Sequence, residues 1–226
     1  MIAFLLAVAI SHAQVPADVL QKVDAVRNPA ESYRMDVKVT SSDESEPAQF
    51  QVFLKGNDKT LVKVLGPRKN LGRNMLMLRE NMWVYIPNLK RAVRVSLSQK
   101  LTGQAANGDI SRMRWHGDYT AMMEAQDKKT WTLHLKSTKK GLTYDQLRAW
   151  VEEKTFHPLK AHFLTVSGKV VKEAEYTDYK SLLGRQRPTR IRITDHLNKD
   201  RTSDIIVESM AAQTSPDALF TERSLE

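Results

Sequence analysis

Asn74-Met-Leu-Met-Leu78, Arg79-Glu-Asn81 and Met82-Trp-Val-Tyr-Ile86 form the stretch that decides the fold. Two short apolar runs flank a polar three-residue turn, which is the spacing of a β-hairpin. Ile86-Pro87-Asn88 breaks the pattern and Arg91-Ala-Val-Arg-Val95 resumes it as a third strand. The first two strands are apolar on both faces, so both faces are covered, by protein or by ligand. Beyond them, Ser96 to Met123 carries Leu97, Leu101, Ile110, Met113, Trp115, Met122 and Met123 at helical rather than strand spacing. This predicts a helical flap, rich in Met and Trp, lying over a greasy sheet centre.

On the N-terminal side, Val19, Leu20, Val23 and Val26 make one apolar stripe of an amphipathic helix, which Asn28-Pro29 stops. The period then changes to two. Tyr33, Met35, Val37 and Val39 alternate with Arg34, Asp36 and Lys38, and two further strands flank the Gly56-Asn57-Asp58 turn. On the C-terminal side, runs beginning at Thr130, Tyr144, Leu159, Val170, Pro188 and Thr202 predict a second series of strands. The links are short, so the strands, about a dozen in all, are antiparallel. No repeat, low-complexity tract or linker divides them, which predicts one domain over residues 14–226. A sheet of this size must curl, close or split. The fold class expected is mainly β with a few helices: a curled antiparallel sheet forming an incomplete barrel, with the helical flap over its apolar concave face.

The chain has no cysteine, which removes disulfides, thiolate catalysis, cysteine metal sites and lipid attachment through a cysteine. Its formal charge of +9 favours anionic partners. The apolar run Ile2–Ile10, followed by Ser11-His-Ala13, predicts a signal peptide over residues 1–13 cleaved after Ala13. The run falls short of the roughly 20 residues of a spanning helix. It lacks a basic n-region, so the true start of the leader stays open. Export to a periplasm is the expected destination.

Catalytic signatures are missing: there is no GxSxG elbow, phosphate-binding loop or HExxH. His157 and His162 lie five apart, a spacing that common metal sites do not use. Asp109 and Asp118 could form an acid/base pair, but Asp109, after Asn107-Gly108, reads better as a helix cap. Arg185, Arg187, Arg190 and Arg192 are the densest basic cluster and carry no interleaved aromatics, so nucleic acid is not expected. That cluster reads as a solvated outer face, with anionic headgroups or an acidic partner as the alternative. The expectation is a protein that is not an enzyme, with no cofactor and no metal.

The amphipathic first helix, the strand run, Asn81-Met-Trp-Val-Tyr-Ile-Pro87, the Gly108-Asp-Ile-Ser111 to His116-Gly-Asp-Tyr119 stretch and Phe156-His-Pro-Leu159 together resemble the LolA/LolB-like superfamily, in its outer membrane lipoprotein-sorting branch. The resemblance covers roughly residues 15 to 210. It implies an incomplete β-barrel under a helical lid, and a monomeric, non-enzymatic carrier. Such a carrier binds the acyl chains of a lipoprotein or lipid and passes them from a membrane-protein donor to an acceptor. Two features depart from the carrier pattern. Gly56-Asn57 stands where an Arg-Pro latch is expected, and Asp204-Ile-Ile-Val-Glu208 replaces an aromatic C-terminal strand. The candidate lining residues, chosen for size and position, are Met75, Met77, Trp83, Tyr85, Leu97, Leu101, Met113, Trp115, Met122 and Phe163, with Met82 and Val84 as alternatives to Trp83 and Tyr85. The rival reading is an adaptor of an envelope transport complex acting through its basic outer surface.

Overall fold

The computed structural model describes residues 15–16, 18–28, 31–112 and 114–226. The expected leader with its cleavage site after Ala13, and the candidate Met113, lie outside the described residues. The chain begins with α1 (Val19–Arg27) and continues through β1 (Ser32–Ser41), β2 (Ala48–Lys55), β3 (Lys59–Gly66), β4 (Met75–Leu78), β5 (Asn81–Ile86) and β6 (Arg91–Val95). A crossing segment follows, with β7 (Lys100–Thr102), β8 (Ala105–Ala106) and α2 (Asn107–Ser111). The second series is β9 (Tyr119–Gln126), β10 (Thr130–Ser137), β11 (Gln146–Glu152), β12 (Pro158–Leu164), β13 (Val170–Leu182), β14 (Arg185–Asp195) and β15 (Arg201–Ala212).

Thirteen of these strands form one antiparallel sheet in the order β6-β5-β4-β3-β2-β1-β15-β14-β13-β12-β11-β10-β9, not closed into a barrel. Each series is a simple meander, and the seam between them pairs β1 with β15 from Tyr33–Ala212 to Ser41–Ser203. The open edges are β6 and β9. Residues 96–118 cross from one edge to the other.

Alternation decides the faces. Tyr33, Met35, Val37 and Val39 of β1 share one apolar cluster with Phe50, Val52 and Leu54 of β2, with Leu133 and Leu135 of β10, and with Ile191 and Ile193 of β14. Val19, Leu20 and Val23 of α1 join the same cluster, so the helix lies on this inner face. Arg187 anchors it: the guanidinium donates to the Ala25 and Val26 carbonyls at 2.8 and 2.5 Å, satisfying acceptors that a helix C-terminus leaves open. Burial pushes the Arg187 pKa down to about 10. The expected solvated cluster is thereby corrected at Arg187, which is buried. Arg190 and Arg192 do face out, but Asp178 and Asp204 pair with them at 3.6 and 2.9 Å.

A second, smaller core sits on the outer face of β2–β5. Phe53, Leu61 and Leu76 pack there against Phe220 and Leu225 of the C-terminal tail, with Trp83 and Tyr85 against the cluster. This explains why β4 and β5 are apolar on both faces.

The expected helical flap is corrected too. Among the described residues of that stretch only Asn107–Ser111 is helical, β7 and β8 form a hairpin, and residues from Tyr119 onward belong to an edge strand. Gly103 takes φ +52° at the hairpin tip and Gly117 takes φ +76° before β9, so the chain turns where a long helix would continue.

Candidate functional site

The crossing segment approaches the sheet closely because glycines stand where side chains would collide. A Cβ on Gly103 would meet Ser203 Oγ at 2.4 Å and Ser41 Oγ at 2.6 Å, across the seam of β1 and β15. A Cβ on Gly108 would meet Thr143 Oγ1 at 1.8 Å. The tip is then fastened by polar contacts. Gly103 N–H donates to Glu44 at 2.9 Å, Gln104 N–H to Ser203 Oγ at 2.8 Å, and Lys172 Nζ to the Gln104 carbonyl at 2.7 Å.

Two carboxylates hold the rest of the segment down. Asp24 on α1 accepts the Trp115 N–H at 2.7 Å and the His116 N–H at 2.7 Å, and pairs with Arg27 at 2.8 Å. The Arg27 guanidinium lies 4.0 Å from the centre of the Trp115 ring, so helix and crossing segment share one cation–π contact. Asp118 is the second hub. Arg112 Nε and Nη2 reach it at 2.5 and 2.7 Å, Arg114 Nη2 at 3.2 Å and Lys139 Nζ at 3.1 Å. Arg112 also donates to the Arg79 carbonyl at 2.6 Å, which ties the crossing segment to the β4–β5 turn.

Burial raises the Asp118 pKa, but hydrogen bonds from Arg112 and Arg114 overcome it and lower the value from 3.8 to about 2. A depressed carboxylate contributes stability that is full above the unfolded value and is lost as pH falls through the folded one. The contribution of the Asp118 hub is therefore expected to fall by about 2 kcal/mol between pH 3.8 and about 2. The near-ultraviolet signal of Trp115 should decline over that window before the far-ultraviolet strand signal does. Coincident loss of both signals would show that the Asp118 hub is not a separate element.

The crossing segment divides the concave face into two spaces. The larger, about 560 Å³, lies between the β7–β8 hairpin and the inner face of β2–β6. Phe50, Val64, Met75, Val84, Val95 and Leu101 give it apolar walls. Lys69, Arg73 and Lys100, all exposed, stand with Glu44 among its lining residues. Its volume falls within the roughly 300–1,000 Å³ usual for small-molecule sites. The smaller space, about 60 Å³, lies among Trp115, Tyr144, Phe163 and Tyr176.

Asp109 and Asp118 both line that smaller space. Asp109 is not the first residue of α2 but sits inside it, and its carboxylate reaches back to the Ala106 N–H at 2.8 Å. The Tyr144 hydroxyl donates to the same carboxylate at 3.1 Å, and burial raises the Asp109 pKa. One carboxylate is thus a helix cap and the other an ion-pair hub, beside a space with room for only a few waters. Among the described residues, no group of three or more His, Asp or Glu is placed to hold a metal.

The sequence candidates separate into distinct places. Met75, Met77, Leu97, Trp115 and Phe163 are buried in the inner core, with Leu101 partly buried against it. Of these, Met75 and Leu101 line the larger space, and Trp115 and Phe163 the smaller. Trp83 and Tyr85 lie on the outer face, so Met82 and Val84 take the inward positions. Met122 is 54% exposed on β9, while Met123 is buried. Phe50, Val64 and Val95 were not among the candidates. The period-two patterns of their strands could have supplied the first two.

A family model described as "Uncharacterized protein" matches residues 56–226. A comparison with curated proteins finds no match. Among solved structures, a LolA superfamily protein from Nitrosomonas europaea is 33% identical, with a TM-score of 0.85 over 94% of this chain and 100% of that one. A domain from Vibrio parahaemolyticus described as an outer membrane lipoprotein-sorting protein is 19% identical, with a TM-score of 0.75 over 92% and 97%. A DUF1329 family protein from Desulfovibrio piger is 18% identical, with a TM-score of 0.78 over 93% and 97%.

Proposed function

Since the chain belongs to the LolA superfamily, we propose that it is a non-enzymatic periplasmic carrier for an acyl chain of a lipoprotein or lipid. The observation that carries this reading is the space of about 560 Å³ between hairpin and sheet, apolar within and basic at Lys69, Arg73 and Lys100. A hydrocarbon chain gains about 0.8 kcal/mol for each CH₂ it buries, and the three cations suit an anionic group at its end. The carrier acts as a monomer, receives its cargo from a membrane protein and moves it toward the outer membrane. The apolar run before Gln14 supports export, and a cysteine-free chain is consistent with it. The adaptor reading is weaker because Arg190 and Arg192 of the outer face are already paired with carboxylates.

Native mass spectrometry of protein purified from the periplasm without detergent, followed by lipid extraction, tests the proposal. A bound mass released on denaturation as an acylated species is the expected result. Uptake of a fluorescent fatty acid by the mature protein is the second readout. Val84→Trp fills the larger space and should lower uptake by at least about tenfold, given that affinity follows the apolar area a pocket offers. Trp83→Phe, on the opposite face of the same strand, should leave uptake unchanged. A clean apo mass joined to no uptake would reject the carrier.

A further inference from the structure

The charge of this protein is not spread evenly. Residues 68–100 hold eight basic side chains, Arg68, Lys69, Arg73, Arg79, Lys90, Arg91, Arg94 and Lys100, against one acid, Glu80. Eight minus one is +7, most of the +9 carried by the whole chain. All eight are exposed. Arg79 approaches Asp58 at 4.0 Å, and Arg94 bonds the Asn81 side chain. Among the described residues, the other six have no carboxylate within ion-pair distance. Of the acids in the β1–β2 turn, Glu44 accepts from the Gly103 N–H and Asp43 pairs with Arg201 at 3.0 Å, while Glu46 is exposed.

The same region exposes apolar side chains. The links β3–β4 and β5–β6 leave the same end of the meander. They touch, since a Cβ on Gly72 would lie 3.2 Å from Pro87 Cγ. Leu71 on the first link is 48% exposed and Leu89 on the second is 56% exposed. Each sits among the cations, Leu71 between Lys69 and Arg73, Leu89 beside Lys90 and Arg91. Lys69, Asn70 and Arg73 of the first link also line the larger space. The two links therefore form one basic surface with apolar tips, at the border of that space.

We propose that this surface docks the protein on an anionic lipid bilayer, Leu71 and Leu89 entering the interface while Arg68, Lys90 and Arg91 meet the headgroups. Stable attachment to a bilayer takes two signals together, apolar insertion and a polybasic patch, and both are present within these links. Docking would bring the larger space to the membrane surface. It does not depend on what that space holds.

Co-sedimentation with vesicles tests it, using phosphatidylcholine alone and an equimolar mixture with phosphatidylglycerol. The wild-type protein should bind the mixed vesicles only, with affinity that falls as salt screens the headgroups. Leu71→Asp/Leu89→Asp and Lys90→Glu/Arg91→Glu should each lose at least about tenfold. Lys180→Glu/Arg185→Glu makes the same charge change at exposed positions flanking the β13–β14 turn and should stay within about twofold, because screening confines the attraction to nearby charges. No binding to mixed vesicles would overturn the proposal, and so would an equal loss in the β13–β14 control. Uptake of the fluorescent fatty acid, measured on the same proteins, separates the two readings. Vesicle binding without uptake in the wild type rejects the carrier alone, and uptake without vesicle binding rejects the docking surface alone.

Discussion

Asp118→Ala is expected to destabilise the protein by about 3–5 kcal/mol, because removing one partner of a buried ion pair strands the other. Arg114 and Lys139 can turn toward solvent when the carboxylate is gone, since their side chains are 19% and 31% exposed. Arg112 cannot: its side chain is 3% exposed and its remaining contacts are the Arg79 carbonyl and Glu80 at 3.8 Å. The cost is thus concentrated in one guanidinium. Arg112→Met/Asp118→Leu should recover most of it, because an apolar pair of similar volume needs no desolvated partner. Urea denaturation of Arg112→Met, Asp118→Leu and the double variant closes the cycle. Additive losses would show that the two residues do not act as a pair.

Phe220→Ala should cost about 3–5 kcal/mol, the usual range for emptying a buried aromatic site. Phe220 is 4% exposed and seals the outer core over Phe53, Leu61 and Leu76. Its loss would also uncover Trp83 and Tyr85, so dye binding to apolar surface should rise along with the fall in stability. Asp217 in the same tail pairs with Lys55 and Lys59 at 3.0 and 2.8 Å, but it is 70% exposed at the side chain. Solvent screens such pairs, so Asp217→Ala should change the midpoint little. A large effect at Asp217 and a small one at Phe220 would mean that charge, not packing, holds the tail.

This outer core explains where the sequence could be read and where it could not. In β1, polar residues alternate with apolar ones, so the inward face of Tyr33, Met35, Val37 and Val39 is legible without a structure. In β5 both faces are apolar, because the tail covers one and the main core the other, and Trp83 gives no sign of which it belongs to. The crossing segment misled for a related reason. Tyr119, Ala121 and Met123 alternate in an edge strand, yet the exposed Met122 fills the polar position and imitates a helical run. The Asp24 hub was not legible at all. Asp24 meets Trp115 across 91 residues, and such a pairing leaves no local pattern. The overall half-barrel was accessible because short links between alternating runs permit little besides antiparallel neighbours.

The seam between β1 and β15 sets how this chain reaches its native state. Every other neighbouring pair in the large sheet is made by strands consecutive in sequence, while Tyr33 must find Ala212. Each meander can zip up through hairpins, whose loops close quickly, whereas the seam waits on closure of nearly the entire chain. The two halves are therefore expected to assemble separately and join late. Mutations along β1 or β15 would then act mainly on the rate of opening rather than on the rate of folding.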